Sequence, residues 1–206
     1  PTLLTQVDQQ KMMAWTDSVF NTLSMDERIG QLFMVIADVK TTNQNMQRLL
    51  RYVNELNIGG VLFHKGSPEV QAQLTNRMQE ASKVPLLVSL DGEWGLSMRL
   101  SGTTRFPKNM MLGAIENDLL IRKYGEEVAR QCKEMGIHIN FAPDLDVNSN
   151  VDNPVIGIRS FGEDPAAVAD KGIAYASGLE EGGIMAVAKH FPGHGCLLYT
   201  SDAADD

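Results

Sequence analysis

Along this chain, short apolar runs alternate with longer stretches of helical periodicity. Residues Gln9–Leu23 carry apolar positions at helical spacing and predict an amphipathic helix. Ser24-Met25-Asp26-Glu27 then has the form in which a serine caps the next helix and a glutamate three residues on answers the cap's own N–H. The apolar run Leu32–Ile36 follows, then a helical stretch over Asn43–Leu56 with Met46, Leu49, Leu50 and Val53 on one face. Gly59-Gly60 leads into Val61–Phe63 and a helix over Pro68–Ala81. Val84–Leu90 is the third run, and a long loop succeeds it. A helix over Leu119–Met135 precedes His138–Ala142, and one over Pro165–Glu181 precedes Met185–Ala188. Apolar runs this short, alternating with helices, predict five parallel strands buried on both faces and an α/β fold. A doubly wound sheet suits the length. A (β/α)8 barrel takes about 250 residues, so this chain would hold only part of one.

Composition narrows the classes. With 206 residues and 43% hydrophobic positions the chain can build one sizeable core. Its 18 basic and 26 acidic residues leave a net charge of −8, and no Lys/Arg cluster breaks that balance, which argues against nucleic acid as a partner. No apolar run approaches the roughly 20 residues of a membrane-spanning helix. Cys132 and Cys196 make neither a disulfide framework nor a metal-binding spacing. The start at Pro1, without Met or a signal-like stretch, leads us to expect that any targeting segment has been removed.

The strand ends carry the chemistry. In parallel α/β folds active sites gather where strands finish. Here the ends bear His64-Lys65, Asp91-Gly92-Glu93, Asp144 with Asp146, and Lys189-His190, while the preceding runs carry no charge. Lys189-His190-Phe191-Pro192-Gly193-His194-Gly195 is the densest cluster, its Pro and Gly residues shaping a tight loop that can bring His194 back to the mouth. Adjacent strand residues point to opposite sides, so Lys189 and His190 share a site only if the strand bends there. The structural alternative is a polar loop whose histidines bond the backbone.

Asp91 can accept two sugar hydroxyls, Trp94 can offer a flat face to a pyranose ring, and Arg99 can hold Asp91 or donate to a ligand; a plain Asp–Arg pair over a loop is the alternative. In Asn153-Pro154-Val155-Ile156-Gly157-Ile158-Arg159, the guanidinium of Arg159 is a fork of donors suited to hydroxyl and carbonyl oxygens, or simply solvated. Asp144 and Asp146 are read as backbone-capping carboxylates. His190 and His194 stand four apart, but Pro192 and Gly193 between them break the helix a metal pair would need. No phosphate-binding glycine loop and no paired-cysteine motif is present, so nucleotide and zinc-finger functions are excluded.

Together these loops resemble glycoside hydrolase family 3, in its β-N-acetylhexosaminidase branch. The marks are Gly30-Gln31-Leu32-Phe33, Gly59-Gly60-Val61, Asp91-Gly92-Glu93 with Arg99, Asn153-Pro154-Val155 with Arg159-Ser160-Phe161-Gly162, and Lys189 to Gly195, in order over most of the chain. The resemblance implies a (β/α)8 TIM-type barrel, incomplete here with about five of eight βα units, and no metal or organic cofactor. It implies retaining hydrolysis of terminal β-linked N-acetylglucosamine from oligosaccharides or peptidoglycan fragments, in a bacterial cytoplasm or periplasm. Matched by position, Asp91, Arg99, Arg159, Lys189 and His190 are sugar-binding residues, with Trp94 and His194 as loop support. The branch draws its acid from a His–Asp pair just after this loop and its nucleophile from a later strand. Residues 1–195 are therefore expected to be a partial barrel domain and 196–206 an unrelated tail, and the chain alone is expected to be inactive. The alternatives are a non-catalytic sugar-binding module, a β-glucosidase, or a Schiff-base enzyme using Lys189 as its amine.

Overall fold

The structure, a computed structural model, describes residues 9–37 and 43–196. The expected tail thus lies outside the described residues apart from Cys196. Helix α1 (Gln9–Phe20) is followed by α2 (Met25–Gly30), β1 (Met34–Ala37), α3 (Asn43–Leu56), β2 (Gly60–Phe63), α4 (Pro68–Ala81) and β3 (Leu87–Leu90). After a long loop come α5 (Asn109–Gly113), α6 (Asp118–Glu134), β4 (Ile139–Asn140), α7 (Pro165–Glu181) and β5 (Met185–Ala186). The capping box forms as expected: Glu27 N–H donates to Ser24 Oγ at 3.2 Å, and Ser24 N–H donates to Glu27 Oε2 at 2.7 Å.

All five strands pair in parallel in the order β1-β2-β3-β4-β5. Each strand lies beside its predecessor. That is barrel order; a doubly wound sheet reverses its order at a switch point. One sheet face holds Ala37, Val61, Phe63, Val88 and Leu90, all at most 1% exposed, against the helices. On the opposite face the row Ile36, Leu62, Ser89, Ile139, Met185 is buried in its middle and open at its ends, with Ile36 57% and Met185 50% exposed.

Two expectations shift. The strands β4 and β5 are shorter than their apolar runs, because Pro143 offers no N–H to the ladder; pairing resumes one step on, where Asp144 bridges Lys189 and Leu145 N–H donates to Lys189 O at 2.7 Å. Helix α1 ends at Phe20 and buries none of its residues, leaving Met12, Met13, Trp15 and Phe20 exposed.

Helices α6 and α7 approach at Gly125 and Gly178. A Cβ on Gly178 would sit 2.1 Å from Arg122 O and 2.9 Å from Glu126 N, both backbone atoms that cannot swing away. Gly178→Ala is therefore expected to destabilise the chain by about 1–3 kcal/mol through overpacking, read as a lower urea midpoint.

Candidate active site

Every side chain of the site comes from the ends of β3, β4 and β5 and the loops that follow them. The turn after β3 is pinned by Asn140, whose Oδ1 accepts from Gly92 N–H at 2.8 Å, and by Tyr175, whose hydroxyl donates to Gly92 O at 3.0 Å. This aims Asp91 and Glu93 at β5. Asp91 Oδ1 accepts from Lys189 Nζ at 2.8 Å and its Oδ2 from Arg99 Nη2 at 2.9 Å. Lys189 Nζ also lies 2.8 Å from Glu93 Oε1. Glu93, with no side-chain exposure, takes a two-point bond from Arg159: Nε to Oε2 at 3.0 Å and Nη2 to Oε1 at 2.9 Å. The Arg159 loop is fixed by Asn153, whose Oδ1 accepts from Val155 and Ile156 N–H and whose Nδ2 donates to His194 O at 2.5 Å.

Lys189 and His190, joined by a cis peptide, both face this network. His190 Nδ1 stands 2.5 Å from Asp146 Oδ2. An ionised carboxylate only accepts, so Nδ1 carries the proton shared with Asp146, while Nε2 faces Arg159 Nη2 at 3.4 Å. Asp146 Oδ1 accepts from the His194 backbone N–H at 2.6 Å, and the two imidazoles meet edge to face at 5.1 Å.

Opposing effects set the charges. Burial works to raise the pKa of Asp91, but Lys189 and Arg99 outweigh it and hold the carboxyl below its ordinary value. Burial likewise opposes ionisation of Glu93, and Arg159 with Lys189 overcomes it. In Asp146 burial loses to the bonds from His190 and His194. Asp144 is the exception. It is fully buried, its Oδ2 has no hydrogen-bond partner, and Arg159 Nε is 3.6 Å away. Burial pushes its carboxyl up to about 7, against the Asp146 N–H, and the charges of Glu93 and Asp146 add to the rise. Apart from Asp144, the carboxylates of Asp91, Glu93 and Asp146 face the cations Arg99, Lys189 and Arg159.

A carboxyl that prefers its proton when folded binds more protons folded than unfolded between about pH 4 and 7, so its contribution to stability falls as pH rises through that window. Asp144→Asn keeps the shape and cannot ionise. The variant is expected to lose less stability than the parent between pH 4.5 and 7, measured by urea unfolding at each pH.

All five expected sugar-binding residues converge: Asp91, Arg99, Arg159, Lys189 and His190. His194 supports the loop through its backbone and ring. Trp94 carries the Lys108 ammonium 4.9 Å over its ring, so one aromatic face is occupied by a cation. His64 and Lys65 are exposed and outside the network. Glu93, read from the sequence only as a strand-end carboxylate, is the buried partner of Arg159 and Lys189, and the reading of Asp146 as a backbone cap is incomplete, since it also holds His190. Asp144, Asp146 and His190 could offer a metal three ligand atoms within 4.8 Å of one another. Arg159 already supplies positive charge to that trio, and the Nδ1 proton of His190 lies between the imidazole and Asp146. Among the described residues, no helix is long and apolar enough to cross a membrane.

The array suits a polyhydroxylated ligand: fixed acceptors and donors alternate across one mouth, and each carboxylate keeps lone pairs beyond those its cations use. Comparison with known proteins agrees with that chemistry. The description "Glycosyl hydrolase family 3 N terminal domain" matches residues 24–203. Over 160 residues the chain is 36% identical to beta-hexosaminidase A of Pseudoalteromonas piscicida, covering 71% of this chain and 27% of that protein. Over 183 residues it is 32% identical to a beta-N-acetylglucosaminidase/beta-glucosidase of Cellulomonas fimi, covering 89% of this chain and 32% of that protein. The chain thus spans about a third or less of these two relatives. A solved glycoside hydrolase family 3 beta-N-acetylglucosaminidase from Paenibacillus sp. str. FPU-7 superposes with a TM-score of 0.77 at 33% identity, over 87% of this chain and 35% of that one.

Proposed function

The chain belongs to glycosyl hydrolase family 3, and from that membership we propose that it forms the sugar-holding part of a retaining β-N-acetylhexosaminidase acting on terminal N-acetylglucosamine. One observation carries the reading: Asp91 is held ionised between Lys189 and Arg99, beside the buried Glu93–Arg159 pair. Asp91 accepts from ring hydroxyls. Lys189, Arg159 and His190 face the same ring, the first two as donors.

Retention needs a nucleophilic carboxylate and a proton donor with carboxyl groups about 5 Å apart. Among the described residues, Asp91, Glu93 and Asp146 are committed to ion pairs or imidazole, and Asp144 is sealed from the mouth. The part of the site formed by the described residues thus accounts for holding the sugar and not for cleaving it, and our reading is that the chain binds without turnover. A second reading, action on β-glucosides, is favoured by the double name of the Cellulomonas fimi relative.

Purified chain, freed of host glycosidases, is to be assayed with nitrophenyl N-acetylglucosaminide and nitrophenyl glucoside, and titrated calorimetrically with N-acetylglucosamine and glucose. The expected result is binding of N-acetylglucosamine in preference to glucose with no turnover of either glycoside. Turnover overturns the inactivity, and preference for glucose overturns the substrate.

A further inference from the structure

A cleft of about 590 Å³ opens beside the sugar site, lined by Lys65, Ser97, Arg99, Ser101, Thr103 and Arg105 among others. Its base is a parallel bridge between Gly66 and Leu100, where Gly66 N–H donates to Arg99 O at 3.0 Å and Ser101 N–H to Gly66 O at 2.8 Å. Arg99 is the wall shared with the sugar site: its Nε and Nη2 turn to Asp91, and Nη1 lies outside those bonds. Lys65 and Arg105 are exposed at the rim, and neither pairs with a carboxylate among the described residues. Among those residues no acidic side chain lines the cleft at all. The chain as a whole carries −8. Arg99 is neutralised by Asp91, but Lys65 and Arg105 at the rim have no such carboxylate among the described residues, so the cleft is the reverse of the average surface and concentrates positive potential at one point of the mouth.

We propose that this cleft is an oxyanion subsite, receiving a phosphate or carboxylate group. Lys65 supplies a mobile ammonium and Arg105 a planar fork, the two geometries that grip oxyanions, and the Ser97 hydroxyl adds a neutral donor. The anion is either a substituent on the sugar held at Asp91 or a free ion beside it. Only the first source rests on the sugar-binding function proposed above; the anion site stands without it. Because Lys65 and Arg105 are exposed, binding is modest and salt-sensitive.

The test is phosphorus NMR line broadening of inorganic phosphate on the 206-residue chain, with Lys65→Gln/Arg105→Gln as the comparison. Both positions are at the surface, so circular dichroism is expected to be unchanged in the double variant. The proposal predicts saturable broadening, about tenfold weaker binding in the double variant, and loss of binding as sodium chloride is raised. No saturable broadening, or equal broadening in parent and variant, overturns it. N-acetylglucosamine and N-acetylglucosamine 6-phosphate then separate the sources. If the sugar phosphate binds more tightly than either part alone, the anion rides on the sugar; if phosphate binding is indifferent to the sugar, the anion is free. Phosphate bound without any sugar binding leaves the subsite standing and removes the sugar-binding function. Sugar bound without phosphate does the opposite.

Discussion

Glu93→Ala is expected to lower the stability of the chain by about 3 kcal/mol and to take sugar binding with it. Glu93 is fully buried and is the one carboxylate that Arg159 and Lys189 share. Removing one partner of a buried pair costs about 3–5 kcal/mol, because the remaining charges stay desolvated. The lower end applies here, since the Arg159 and Lys189 side chains keep 22% and 15% exposure and can partly rehydrate. A second consequence distinguishes this account from a simple cavity. Without Glu93, Arg159 loses its main anion and Asp144 loses a repelling one, so the Asp144 carboxyl, 3.6 Å from Arg159 Nε, should ionise at lower pH. The pH dependence of stability between 4.5 and 7 is then expected to flatten in the variant. Urea unfolding at several pH values checks both, and a midpoint equal to the parent's would refute the role given to Glu93.

The second large effect is on the ligand. Asp91→Asn preserves shape and leaves Lys189 its bond to Glu93, so the fold should survive. The amide replaces a charged acceptor by one oxygen and one donor that opposes Arg99. Hydrogen bonds to charged groups contribute about 1.5–3 kcal/mol each, so weakening two to a sugar predicts roughly a hundredfold lower affinity for N-acetylglucosamine. Calorimetric titration reads this directly. Unchanged affinity would mean that Asp91 is only a structural partner of Arg99, the plainer of the two roles its position allows.

Much of this was legible because local rules governed it. Ser24 and Glu27 cap their helix through atoms three residues apart, and periodicity located α3, α4, α6 and α7 without tertiary information. Asp91, Arg99, Arg159, Lys189 and His190 sit at or just past strand ends, where parallel sheets gather their polar groups, and they do meet. What stayed hidden depends on pairings across distance. Asp146 reaches His190 because Asp144 bridges Lys189, a register between residues more than forty positions apart that no local pattern encodes. Glu93 follows Asp91 by two positions, so a strand-end reading shows a carboxylate without showing that it is the buried centre of the network. Trp94 looked like a sugar platform from its type alone; which side of a ring stays free depends on where Lys108 falls. The alternation of strands and helices could not decide sheet order, since barrel and doubly wound sheets share it and differ only in which strands touch; the family motifs implied the barrel, and the strand order agrees.

The measurement that bears most directly on the account is a chemical-shift map of the isotope-labelled chain titrated with N-acetylglucosamine. If the network is a preformed sugar site, the saturating changes fall on the Gly92, Glu93 and His194 amides, the His190 ring and the Arg159 guanidinium. Binding that leaves these signals still and moves others, or no saturable change at all, would contradict it.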